Sequence, residues 1–169
     1  MQRRTFLAST CVLLTPFHAG CLSSIREFRT SSVQLGWFGV HNADPESAHT
    51  FALEVKRDGE VVHESVHEVD AAEEFENSGL HSDGAVAACD WGQTAGDYIV
   101  RVCVDGEESV EESALEFARE NGADCVIADA EYRNHDAVSK FMEGTTLGIF
   151  LREGCNNDRY TDKCSFTQK

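Results

Sequence analysis

Four of the seven histidines, His41, His49, His63 and His67, fall in one stretch of the chain and are its richest source of chemistry. A neutral imidazole binds transition metals and carries protons near neutral pH. The Asp58-Gly59 dipeptide between them marks a tight hairpin, because a primed two-residue turn needs positive φ at its centre. That hairpin would bring His49 near the strand carrying His63 and His67. On a strand, however, His63 and His67 lie about 13 Å apart, at about 3.3 Å per residue, too far to share one ion. Only a helix would join them, and Val61, Val62 and Val66 argue against a helix. The histidines are therefore expected to face solvent on an acidic surface. His41 and His49 are weak candidates for metal ligands, and no cofactor is expected.

Other chemistries lack their signatures. A type 1 copper centre needs a cysteine followed closely by His and Met. Cys89-Asp90-Trp91-Gly92 and Cys103-Val104-Asp105-Gly106 supply no histidine, and His135 and Met142 lie too far beyond Cys125 for one ligand loop. Asn156, Asp158 and Asp162 alternate as in a calcium loop, without the glycine and closing glutamate such a loop needs. Zinc-type cysteine pairs, Gly-x-Ser-x-Gly, a phosphate-cradling loop and a dinucleotide fingerprint are all missing from the sequence. Glu73-Glu74 and Glu111-Glu112 sit in polar stretches, whereas acid catalysis needs an apolar pocket to raise a carboxylate pKa. No residue is assigned a catalytic role, and a non-enzymatic protein is expected. Trp37 and Trp91 are expected in the core, with a binding edge as the alternative for Trp91.

The elements that must position these residues read mostly as strands. Val33, Leu35 and Trp37 alternate with Gln34 and Gly36; Phe51, Leu53 and Val55 alternate with Glu54 and Lys56. Residues 49–57 should pair with 61–69 across Asp58-Gly59. Residues 70–84 read as a long loop or short helix, followed by a strand from Ala85 to Trp91. Tyr98, Val100, Val102 and Val104 form the clearest strand, closed by Asp105-Gly106. Ser113 with Glu116 has capping-box form, and Gly122 could end a short helix there. Cys125–Tyr132 and Thr146–Arg152 are the last strands, with a possible single-turn helix after Asp136. About seven strands with one or two short helices describe a mainly all-β protein. The expected fold is an antiparallel immunoglobulin-like β-sandwich, with a small barrel as runner-up.

Thirty acidic residues face 14 basic ones across 169 residues, a formal net charge of −16. Hydrophobic residues at 41% suffice for a core, and the length suits one domain. Nucleic-acid binding is excluded as an expectation, because phosphate contacts need clustered Lys and Arg. Ten arginines accompany only four lysines, and molar salt would shorten the Debye length to about 3 Å and screen the self-repulsion. The acidity therefore reads as adaptation to a saline exterior.

The N-terminus reads as an address. Arg3, Arg4, Thr5, Phe6 and Leu7 precede an apolar run through Val12, Leu13, Leu14 and Phe17, interrupted by Pro16 and too short to span a bilayer. His18, Ala19 and Gly20 then precede Cys21 as in a lipidation site. With these motifs the chain resembles a haloarchaeal twin-arginine-exported lipoprotein of unknown function. His41-Asn42-Ala43-Asp44, His49-Thr50-Phe51, Arg57-Asp58-Gly59-Glu60, Cys89-Asp90-Trp91 and Gly96-Asp97-Tyr98 extend the resemblance into the body. The resemblance implies a signal peptide over residues 1–20, a lipidated Cys21 and tether over 21–32, and one sandwich domain over 33–169. It implies a membrane partner through the lipid, on the extracellular face of the cell membrane. A binding or interaction module for an extracellular protein or solute follows, with a metal-binding lipoprotein or an enzyme on a sandwich scaffold as alternatives. Removing residues 1–20 takes two Arg and no acid, so 12 basic residues face 30 acidic ones and the net charge becomes −18.

Five cysteines remain after the signal and Cys21 are set aside: Cys89, Cys103, Cys125, Cys155 and Cys164. Two bridges among five allow 15 arrangements, and disulfides persist outside the cell. The short separation favours Cys155–Cys164, with Cys89–Cys125 as the second bridge and Cys103 unpaired beside Arg101.

Overall fold

In the computed structural model, residues 31–75, 79–138, 144–155 and Cys164 are described. Arg3, Arg4, Cys21, most of the tether, and Asn156, Asp158 and Asp162 lie outside the described residues. Among the described residues, ten strands and two helices follow in order: β1 (Gln34–Asn42), β2 (His49–Arg57), β3 (Glu60–Val69), β4 (Glu73–Phe75), β5 (Gly79–His81), β6 (Asp83–Val86), β7 (Tyr98–Val104), β8 (Glu108–Ser113), α1 (Ala114–Asn121), β9 (Cys125–Asn134), α2 (His135–Val138) and β10 (Thr145–Glu153).

The turns set this order. Asp58 and Gly59 have φ of 54° and 84°, so the β2–β3 hairpin closes on the turn its sequence specifies. Asp105 and Gly106 repeat the device between β7 and β8, with φ of 51° and 75°. Ser113 caps α1 by accepting the Glu116 N–H at 3.2 Å. Gly122, at φ 71°, ends the helix by donating its N–H to the Ala118 carbonyl.

Two four-stranded sheets result, ordered β10-β9-β1-β6 and β3-β2-β7-β8, with β4 and β5 as a separate small ribbon. Valines and aromatics from both sheets fill the space between them, among them Phe38, Val40, Phe51, Tyr98 and Val102. Tyr98, at the start of β7, donates its hydroxyl to the Thr94 carbonyl at 2.6 Å, the corner-tyrosine contact of immunoglobulin-like sandwiches. This is the immunoglobulin-like sandwich expected from the sequence, with three differences.

First, eight strands rather than about seven build the two main sheets, because Glu108–Ser113 pairs with β7. Its sequence, ESVEES, has Val110 as its one apolar residue, partly buried, and so shows no apolar alternation. Second, the strand expected over Ala85–Trp91 is shorter and earlier. Pairing with β1 ends at Val86, and positive φ at Cys89 and Gly92 turns the chain. Trp91 lies in that turn and belongs to the core, 3% exposed, with its indole N–H donated to the Leu35 carbonyl at 2.8 Å. Third, β1 and β9 run parallel. A parallel neighbour needs a long crossover, and the chain from β2 through α1 supplies it. β1 accordingly reads as an almost continuous buried run rather than a clean alternation.

The four bridged cysteines are those expected, but their partners differ. Cys125 bonds Cys155 and Cys89 bonds Cys164, while Cys103 is free. The expected Cys155–Cys164 and Cys89–Cys125 pairs are therefore corrected. Sheet register decides the outcome: β9 and β10 are antiparallel with Val126 opposite Glu153, which brings Cys155 back to Cys125. The Gly154 N–H donates to the Cys125 carbonyl at 2.9 Å and holds that return. Gly36 leaves room for it, since a Cβ there would come within 3.0 Å of the Cys155 Cα.

Candidate functional site

Where β1 ends, Asn42 and Asp44 organise the loop into β2. The buried Asn42 amide donates to the carbonyls of Ser47, Asp70 and Val69 at 2.8, 2.9 and 3.3 Å, and its oxygen accepts the Asp44 N–H at 3.0 Å. Asp44 in turn accepts the Glu46 N–H at 2.8 Å and the Asn134 side-chain amide at 3.3 Å. His49, the first residue of β2, lies between two carboxylates. Its Nε2 is 3.1 Å from Asp44 Oδ2 and its Nδ1 is 2.7 Å from Asp105 Oδ2. Asp105 sits in the β7–β8 turn and also accepts the Thr50 N–H at 2.9 Å. The edge-on Tyr132 ring, 4.5 Å away between centroids, walls one side of the imidazole.

Ionised carboxylates only accept hydrogen bonds, so a site with one beside each ring nitrogen of His49 favours the imidazolium, in which both nitrogens donate. Burial pulls its pKa down, but hydrogen bonds to Asp105 and Asp44, with their negative charges, outweigh that and hold it above the ordinary histidine value. Burial likewise pushes Asp44 up, and the Glu46 N–H, His49 and Asn134 together bring it below the usual carboxylate range. For Asp105 the Thr50 N–H is the largest cause of lowering, followed by His49. The three side chains tie the β1–β2 loop, the start of β2 and the β7–β8 turn into one charged lock.

A second constellation lies on β3, an edge strand of its sheet. Alternation puts His63, Ser65 and His67 on one face. His63 Nδ1 is 2.7 Å from Asp90 Oδ1, and its Nε2 is 2.9 Å from Ser65 Oγ. His67 Nε2 lies 2.9 Å from the same hydroxyl. The Trp91 ring stands edge-on to His63 at 5.5 Å. The backbone spacing expected of His63 and His67 is that of a strand, yet their rings lean along it and meet at Ser65. His63 is also 5% exposed, and the side chain of His49 12%, so neither faces solvent as expected.

His41 and His49 do not share a site. His41 Nε2 pairs with Asp129 at 3.2 Å, and Asp129 also faces Arg152 at 3.5 Å. Among the described residues, no three His, Cys, Asp or Glu side chains converge to hold a metal ion. Nor is any helix among them long and apolar enough to cross a membrane. On the opposite margin, α1 and β10 form a groove of about 550 Å³. Phe117, Ile149 and Leu151 line it with Glu112, Glu116 and Glu120.

His63 and His67 stand out in the sequence, whereas Ser65 between them does not. The spacing His63-x-Ser65-x-His67 was a usable signal, since residues two apart on a strand share a face. Asp90 and Asp105 reach their histidines through tertiary folding and leave no local signal, whereas Asp44 lies five residues before His49 in the same loop. Comparison with protein-family models and with curated proteins finds no match to this chain.

Proposed function

We propose that this chain is an extracytoplasmic lipoprotein, exported through its Arg3-Arg4 signal and held by a lipid on Cys21 to the outer face of the cell membrane. There its sandwich acts as a binding module for an extracellular protein or solute. The observation that carries this reading is the pair of disulfides, Cys89–Cys164 and Cys125–Cys155, in one domain. Such bridges persist in oxidising compartments and are rare in the cytosol. The sandwich begins at Val33, a short tether's length after Cys21, which suits a domain presented close to the lipid surface. Two buried acyl chains would anchor it stably, at about 0.8 kcal/mol per methylene. The groove between α1 and β10, where Phe117, Ile149 and Leu151 lie beside Glu112, Glu116 and Glu120, is a concavity that such a module would offer a ligand.

Cell fractionation tests the reading. Native chain is expected in the membrane fraction and open to protease added outside intact cells. Cys21→Ser should release the folded domain to the medium, and replacing Arg3 and Arg4 by Lys should leave a precursor inside. Recovery of the native chain in the cytosolic fraction with reduced cysteines would overturn it.

A further inference from the structure

Beyond its role as a binding module, we propose that Ser65 is an activated nucleophile for carboxylic esters, with His63 as its base and Asp90 as the residue that positions the base. Three distances carry this. Asp90 Oδ1 lies 2.7 Å from His63 Nδ1, His63 Nε2 lies 2.9 Å from Ser65 Oγ, and His67 Nε2 lies 2.9 Å from the same oxygen. The Asp90 carboxylate can only accept, so His63 Nδ1 carries hydrogen. In neutral His63 this leaves the Nε2 lone pair to accept the Ser65 hydroxyl proton. With its own hydrogen committed there, Ser65 Oγ accepts from His67 Nε2–H. This is the connectivity of a serine nucleophile, its base and an orienting acid, recognised by geometry and role rather than by chain order.

The surroundings suit the roles. His63 is buried, packs T-shaped against Trp91, and has both ring nitrogens engaged by Asp90 and Ser65. Ser65 is half-buried on a strand that ends its sheet, so a small acyl group can approach from the open margin. Asp90 occupies the turn after Cys89, whose bond to Cys164 holds that turn.

In the reaction, Ser65 Oγ attacks the ester carbonyl carbon as its proton passes to His63 Nε2. His67 Nε2–H, which donates to Oγ before attack, is assigned to turn to the carbonyl oxygen that gains charge. Collapse breaks the bond to the leaving alkoxide, which takes the proton from His63. Water then attacks the acylated Ser65 by the same route. It releases a carboxylic acid and restores the hydroxyl, so one ester and one water give one acid and one alcohol.

The test treats the folded full chain, in molar salt, with diisopropyl fluorophosphate and locates the adduct by peptide mass spectrometry. The expected result is stoichiometric modification at Ser65, lost in Ser65→Ala and slowed at least tenfold in His63→Gln and Asp90→Asn, with each variant confirmed as folded by circular dichroism. Because Asp90 is exposed, Asp90→Asn should fold even if His63→Gln does not. Absence of an adduct on folded native chain would overturn the proposal, as would equal labelling rates in native chain and Asp90→Asn.

Discussion

His49 and His63 face the same interlayer space from adjacent strands, and each places a ring nitrogen 2.7 Å from an aspartate, yet their second partners differ. The second nitrogen of His49 meets another carboxylate, whereas that of His63 meets a hydroxyl. A ring between two acceptors is stabilised when it carries both protons and a charge. A ring between an acceptor and a hydroxyl can keep one proton and offer a lone pair. The imidazole is the same in both places, so its neighbours decide whether it serves as a fixed cation or as a base.

The largest effect should come from breaking the charged lock. His49→Ala leaves Asp44, whose side chain is 4% exposed, without its counter-charge, and should cost about 3 kcal/mol in denaturant unfolding at constant salt. Asp105→Asn should cost about 1 kcal/mol, because that carboxylate is 47% exposed and solvent screens its share. The two costs should not add in the double variant, since both remove the same interaction.

A pH series separates the two sides of the lock. His49 has a raised pKa in the folded state, so its contribution is fully present below about 6.5, its unfolded value, and is lost as pH rises through the folded value. Asp44 and Asp105 have lowered pKa values, so theirs are present above about 3.9 and are lost as pH falls through the folded values. Thermal unfolding should therefore show a stability plateau between these limits. His49→Gln should remove the lock's decline on the alkaline side, and an unchanged profile would show that His49 is not held as a cation.

The smallest effect on stability should come from Ser65→Ala. It removes one hydroxyl from a half-buried margin and should cost about 1 kcal/mol or less. A small stability cost combined with complete loss of organophosphate labelling would sharpen the contrast between a structural and a reactive histidine centre. A large cost without any labelling in the native chain would merge the two centres into one structural class.

How much of this was legible depended on how local each signal was. Asp58-Gly59 and the alternation of Tyr98, Val100, Val102 and Val104 fix a hairpin and a central strand within a few residues, and both appear in the structure. The Ser113–Glu116 cap and Gly122 stop are equally local. β8 was invisible because its glutamates and serines bury little on either face. The bridges depart from the expected pairs because sheet register, not proximity along the chain, decides them, and register is set only once β9 and β10 pair. The same limit applied to the sites, since Asp105 reaches His49 across the sheet and Asp90 reaches His63 from a turn after β6.

The parallel pairing of β1 with β9 bears on the order in which the molecule assembles. Gln34 lies beside Cys125, so β1 lacks one neighbour until most of the chain exists. Contacts of such sequence separation slow folding, and until they form Phe38 and Val40 belong to an unfinished sheet edge. That sheet closes only once β9 is present, and a nascent chain stopped before it would carry an unpaired strand edge prone to aggregation. A route that accepts only finished domains would exclude every such fragment.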